Sequence, residues 1–166
     1  MDSAARKRGQ EYMANWVPVV LWAGLIFYFS TEQFASPQTS GLLAAVLNSL
    51  FPGISADWVD WAHLVLRKLG HLTEYFVFSV LLLRALRHNH GGLTVRHVAW
   101  SVLFVLLYAA SDEFHQAFVP SRTASINDVL IDVLGGIFGI LWIATQRKGD
   151  GMAVRLGTTT RPSEKP

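Results

Sequence analysis

The segment from Trp16 to Phe29, WVPVVLWAGLIFYF, carries no charged side chain on any helical face. A helix that packs on a soluble core needs a polar stripe for water, and this one has none. The same is true of Val98 to Ala110, VAWSVLFVLLYAA. Two further apolar segments follow the same theme. Leu69 to Leu83 holds His71 and Glu74 in its first turns, and Val129 to Ala144 is broken only by Asp132 and glycines. Inside a bilayer every backbone N–H and C=O must find its partner within the segment, which selects helices. Each uninterrupted run is shorter than the ~20 residues that cross the hydrocarbon. Flanking residues must complete each crossing, and Tyr12, Trp16, Tyr108 and Trp142 suit the interface. The expected fold is all-α, a four-span integral membrane helix bundle.

Composition agrees. Hydrophobic residues make up 51% and charged residues 16%, against about 25% charged in soluble domains. A net charge of +2 is too small to point to nucleic acid as a partner. With no cysteine there is no disulfide framework, thiolate metal site or cysteine nucleophile. The residues after the first segment, STEQFAS, lack a small-x-small cleavage site, so the segment reads as a span and not as a signal peptide.

Basic residues set the orientation. Arg6, Lys7 and Arg8 precede the first span, and Arg84, Arg87 and Arg96 flank the connection between the second and third. Arg147, Lys148, Arg155, Arg161 and Lys165 follow the fourth. The opposite side has only Arg67, Lys68 and Arg122. The positive-inside rule therefore places both termini in the cytoplasm. The expected organisation is a cytoplasmic N-terminal segment at 1–15, a transmembrane domain at 16–146 and a disordered cytoplasmic tail at 147–166. The external connection from Phe34 to Lys68 is long and should hold an extra helix or two. One is the apolar piece Gly41 to Phe51, stopped by Pro52-Gly53. The other is capped by Ser55 and runs on through ADWVDWAHLVLRKLGH into the second span.

The polar residues left in the spans gather at their external ends. Lys68, His71 and Tyr75 stand at i, i+3 and i+7 on one helical face, with Glu74 beside it. SDEFHQ ends the third span; there Asp112, His115 and Gln116 share a face, and Glu113 lies between them. Pro120, Ser121 and Arg122 follow. Asp128 and Asp132 open the fourth span at i and i+4, and Gly135 and Gly139 continue their stripe. A charge in mid-bilayer costs roughly 2.5–3.5 kcal/mol. Glu74 and Asp132 should therefore point inward and pair with Lys68, Arg122 or a histidine. The glycines let the fourth helix approach a neighbour closely. The expected result is a polar pocket, open outward, with an apolar floor. Its ligand-binding candidates are Lys68, His71, Glu74, Tyr75, Asp112, Glu113, His115, Gln116, Arg122, Asp128 and Asp132. Its catalytic candidates are His71, Glu74, Asp112 and His115. Ser30, Glu32 and Gln33 sit where they could join the rim. RHNHGG, with His88 and His90, reads as a solvated turn.

RKLGHLTEYFVFSVLL and YAASDEFHQAFVPSRTASINDVLIDVLGGIFG, together with YFSTEQ, resemble the VanZ-like family. The resemblance covers about residues 16 to 145. It implies a small multi-pass protein of the bacterial cytoplasmic membrane and cell envelope. It also implies a link to resistance against teicoplanin, a lipoglycopeptide that acts on cell-wall precursors outside the membrane.

Three functions stay open on the sequence. The first is binding or modulation of an amphiphile or cell-wall-related ligand, with membrane lipids, a lipid-linked precursor or a lipoglycopeptide as partner. Lys68 and Arg122 would hold its phosphate or carboxylate. The second is a membrane enzyme acting on a lipid-linked phosphate or ester. In it His71 or His115 would act as general base or acid, oriented by Glu74, Asp112 or Asp128. A variant places a divalent metal on Asp112, Glu113, His115 and Asp128. No zinc signature or phosphate loop is present, so no resident metal or cofactor is expected. The third is a small carrier.

Overall fold

A computed structural model describes residues 3–31, 36–88, 93–120, 122 and 124–156. Five helices follow one another: α1 Ser3–Phe29, α2 Ser36–Leu50, α3 Ala56–Arg87, α4 Val95–Gln116 and α5 Ile126–Leu156. Among the described residues there is no strand.

Three stretches are long and apolar enough to cross a membrane: Ala5–Phe29, Ala56–Arg87 and Ile126–Gln146. The fourth expected crossing falls on α4, a helix of 22 residues. It is entered through Arg96 and His97 and left through Asp112, Glu113, His115 and Gln116, so less of its length is apolar.

α3 is the hub and touches all four other helices, and α4 also packs on α5. Residue pairs give the directions. Arg67 meets Asp128 and His71 meets Asp132, so α3 and α5 run parallel. Asn15 accepts from Arg84 Nε at 3.2 Å and Glu11 approaches His88 at 3.9 Å, so α1 runs antiparallel to α3. The basic start of α1 and the basic end of α3 therefore share one end of the bundle.

Packing holds α3 and α5 close. A side chain on Gly135 would meet the backbone carbonyl of Leu72, and one on Gly139 would meet Ser79 and the carbonyl of Phe76. Only glycine allows that approach. Beside this seam lies an apolar core of Ile26, Tyr75, Phe78, Val105, Ala109 and Val129. Tyr108 closes it against α1 by donating to the Ala23 carbonyl at 2.6 Å.

The burial pattern is inverted relative to a soluble domain. Leu21, Leu107, Leu130 and Leu141 are each more than half exposed, while Asp128, Asp132, Gln116 and Ser101 are almost wholly buried. Apolar rims around a polar interior suit lipid as the solvent.

Several expected boundaries move. α2 begins before Gly41 and ends at Leu50, where Pro52 follows and Gly53 turns the chain at φ +88°. Ser55 stands at the N-cap of α3 without a side-chain cap bond. α3 then continues unbroken to Arg87. α5 passes residue 146 and runs to Leu156, because a formed helix gains one hydrogen bond for each residue added. Residues 157–166 of the expected tail lie outside the described residues.

Candidate functional site

The α3 helix turns one face inward at the end away from the basic termini. Arg67, His71 and Glu74 stand at i, i+4 and i+7 and line a cavity of about 340 Å³. α1 and the turn after it contribute Ile26, Phe29 and Ser30, α2 contributes Thr39 and Leu43, and α4 contributes Asp112 and Gln116. Arg122 reaches in from the connection between α4 and α5. The lining is therefore mixed, with charged and polar side chains alongside the apolar Ile26, Phe29, Leu43 and Leu66.

Two links carry the polar groups from α3 to α5. Asp128, at 1% exposure, accepts from Arg67 Nη2 at 2.8 Å and also from Lys68 Nζ. One turn further in, His71 Nδ1 lies 3.0 Å from Asp132 Oδ1, and Asp132 is fully buried. On α4, Gln116 Nε2 donates to Asp112 at 3.1 Å and Glu113 accepts from the Ser125 backbone N–H at 2.7 Å. The second bond places Glu113 where α5 begins.

Arg122 ties the connection to α1. Its Nη2 donates to the carbonyls of Phe29 at 2.5 Å and Thr31 at 3.3 Å, and Nη1 reaches Gln116 at 3.5 Å. Burial, and then the neighbouring Arg67, pull the Arg122 guanidinium below the usual arginine range. Asp112, Glu74 and Glu113 pull it the other way. Arg67 and Arg122 each keep a buried Nε with no hydrogen-bond partner among the described residues.

Most of the candidates picked from the sequence meet here. His71, Glu74, Asp112, Gln116 and Arg122 line the cavity, while Glu113, Asp128 and Asp132 sit behind that lining. Lys68 pairs with Asp128 outside the lining, about a third exposed. Tyr75 is fully buried among the rings of Phe78 and Tyr108, below the cavity. His115 turns away and packs on Phe27, with ring centroids 4.6 Å apart. It joins neither the proposed acid–base group nor a metal set with Asp112 and Asp128. Glu32, Gln33, Ser121 and His90 lie outside the described residues.

Three polar cavity residues were not among the site candidates: Arg67, Thr39 and His63. The spacing of Arg67 from His71 was visible in the sequence, since i and i+4 share a face. The bond between Thr39 Oγ1 and His63 Nε2, at 2.7 Å, joins α2 to α3 and had no local sign.

One trio could hold a metal ion. His71, Glu113 and Asp132 are all buried, and each offers a ligand atom within 4.8 Å of the others.

The family model described as VanZ/LLP1 matches residues 15–146 of the chain. No curated protein and no solved structure matches it.

Proposed function

Because the chain belongs to the VanZ/LLP1 family, we propose that it is a four-span protein of the bacterial cytoplasmic membrane whose cavity holds the charged head of an amphiphile from the outer leaflet. α4 supplies the fourth crossing. Its 22 residues reach about 33 Å at a rise of ~1.5 Å per residue, close to the ~30 Å of hydrocarbon. Parallel α3 and α5 also require the chain to return between them. The basic residues at the start of α1 and at the α3–α4 connection gather at the other end, which supports setting the cavity outward under the positive-inside rule.

The observation that carries the ligand class is the pair Arg67 and Arg122. Both line the cavity, and both have a buried Nε left unpaired among the described residues. Guanidinium groups match phosphate or carboxylate oxygens in a fork. The apolar lining residues suit an acyl or prenyl chain. Glu74 and Asp112 would receive an amine where the head carries one. A lipid-linked cell-wall precursor and a lipoglycopeptide both fit this description, in line with the resemblance to teicoplanin-resistance proteins.

The test uses detergent-purified protein titrated with short-chain phosphatidic acid and, separately, with short-chain diacylglycerol. Phosphatidic acid should bind about tenfold or more tightly, a difference of ~1.4 kcal/mol. The Arg67→Ala/Arg122→Ala variant should lose that preference while keeping its helical spectrum. Equal binding of the two lipids by the wild type overturns the reading.

A second reading is favoured by the His71–Asp132 contact at 3.0 Å. A histidine oriented by a buried carboxylate at the edge of a cavity is a general acid–base arrangement. A lipid-linked phosphate or ester would be the substrate. Release of phosphate from the bound lipid, abolished in His71→Ala, would move the protein from binder to enzyme. The carrier reading gains less support, because the α3–α5 seam closes below Asp132 at Gly135 and Gly139.

A further inference from the structure

The carboxylates outnumber the cations around the inner end of the site. Asp128 is answered by Arg67 and Lys68, which leaves one positive charge in excess there. Four more carboxylates stand around the site: Glu74, Asp112 and Glu113 feel the charge of Arg122, and Asp132 contacts His71. With His71 neutral, the group carries two uncompensated negative charges. Such a surplus away from bulk water is expensive unless a cation or protons offset it.

The surplus is focused. Glu113 and Asp132 are 5% and 0% exposed, and each has one buried carboxylate oxygen with no hydrogen-bond partner among the described residues. Their ligand atoms and that of His71 lie within 4.8 Å of one another. The three residues come from α3, α4 and α5, so the point where they meet is fixed by the packing of three helices and not by one flexible loop.

We infer that His71, Glu113 and Asp132 form a binding site for a divalent transition-metal ion, joining α3, α4 and α5 behind the cavity. One imidazole and two carboxylates suit Zn²⁺ or Mn²⁺ better than Mg²⁺, which prefers an all-oxygen shell. Three protein ligands leave at least one position for water or for a ligand oxygen. The charge count agrees, since a divalent cation brings the group to neutrality. His71 belongs to both the cavity wall and this trio, so an oxygen of a bound head group would approach the metal from the His71 side. The inference stands apart from the amphiphile reading, because a metal can hold the helices together with no lipid bound.

The test is metal binding by the full chain, purified without an affinity tag and stripped with chelator. Zn²⁺, Mn²⁺ and Mg²⁺ are added separately, and bound metal is measured after desalting and by titration calorimetry. One equivalent of Zn²⁺ or Mn²⁺ should bind, with Mg²⁺ weaker. Glu113→Gln and Asp132→Asn should each lower affinity about tenfold or more, whereas His88→Ala, at the far end of α3, should not. A wild type that binds neither Zn²⁺ nor Mn²⁺ means that protons fill the role, and overturns the inference. So does binding that survives both carboxylate substitutions unchanged. Should those variants not fold, pulsed EPR of the wild type with Mn²⁺ decides the matter. Imidazole nitrogen coupling to a single bound ion supports the site, and its absence overturns it. A wild type that binds phosphatidic acid but neither Zn²⁺ nor Mn²⁺ would sink this inference alone.

Discussion

His71 on α3 and Asp132 on α5 are joined by a contact of 3.0 Å between Nδ1 and Oδ1, with both side chains buried. The same offset in sequence joins Arg67 to Asp128 one turn earlier. Two such rungs fix the two helices parallel and in register, and they hold His71, midway along α3, in the wall of the cavity.

Removing the His71 imidazole takes a hydrogen bond from the buried Asp132 carboxylate, which costs about 1–3 kcal/mol, or more where the group left behind is charged. His71→Ala should therefore unfold in detergent at a clearly lower temperature than wild type. His71→Ala/Asp132→Ala should recover part of the loss, since no buried carboxylate is then left without its partner. Thermal unfolding of the two single variants and the double variant gives the coupling. Simple additivity would show that the contact holds nothing together.

The Gly135 seam makes a sharper prediction because it involves backbone. Its Cβ would meet the carbonyl of Leu72, which cannot swing aside. Gly135→Ala should destabilise by about 1–3 kcal/mol, the usual range for overpacking. Gly24 on α1 has open space at the same point, so Gly24→Ala should be neutral or gain up to about 1 kcal/mol of helix propensity. Melting temperatures of the two variants in one detergent compare them directly, and equal temperatures would mean the seam is loose.

What the sequence made legible follows from the solvent. Lipid tolerates so few polar groups that the charge-free faces of Trp16–Phe29 and Val98–Ala110 announce helices, and His71, Glu74, Asp112 and Asp132 announce an interior. Side-chain direction around a helix is less determined. Lys68 and Arg67 are neighbours about 100° apart on the wheel, and nothing local says which of them reaches the cavity. Asp112 and Glu113 are both buried because α4 is wedged between neighbours on two sides. A single inward face was therefore too simple, and His115 was assigned to it although it packs on Phe27. The trio His71, Glu113 and Asp132 depends on three helices meeting, which no spacing within one segment encodes.

Topology has a direct test, since the chain has no cysteine of its own. Val95 and Ile126 are 87% and 73% exposed, at the starts of α4 and α5. Under four crossings these positions face opposite sides. A membrane-impermeant maleimide added to intact spheroplasts should label Ile126→Cys and spare Val95→Cys until the cells are lysed. Labelling of both in intact cells, or of Val95→Cys alone, would rule out the proposed orientation.

The last prediction separates two adjacent cations that share one acceptor. Arg67 and Lys68 both bind Asp128 and are about equally exposed, at 27% and 32%. Only Arg67 lines the cavity. Lys68→Ala removes a partner of Asp128 but leaves Arg67 to hold it. The cost should stay near that of one charge-assisted hydrogen bond, about 1.5–3 kcal/mol, and affinity for short-chain phosphatidic acid should be nearly unchanged. Arg67→Ala should cost a similar amount of stability and also lower that affinity about tenfold. Asp128→Asn gives the third arm. The amide still accepts one hydrogen bond but no longer offsets two charges, so Arg67 and Lys68 repel and lean toward water. Affinity should fall, as for Arg67→Ala, even though Asp128 itself sits behind the cavity wall. Calorimetric titration of the three variants checks this. If Lys68→Ala lost binding while Arg67→Ala kept it, the anion would sit outside the cavity.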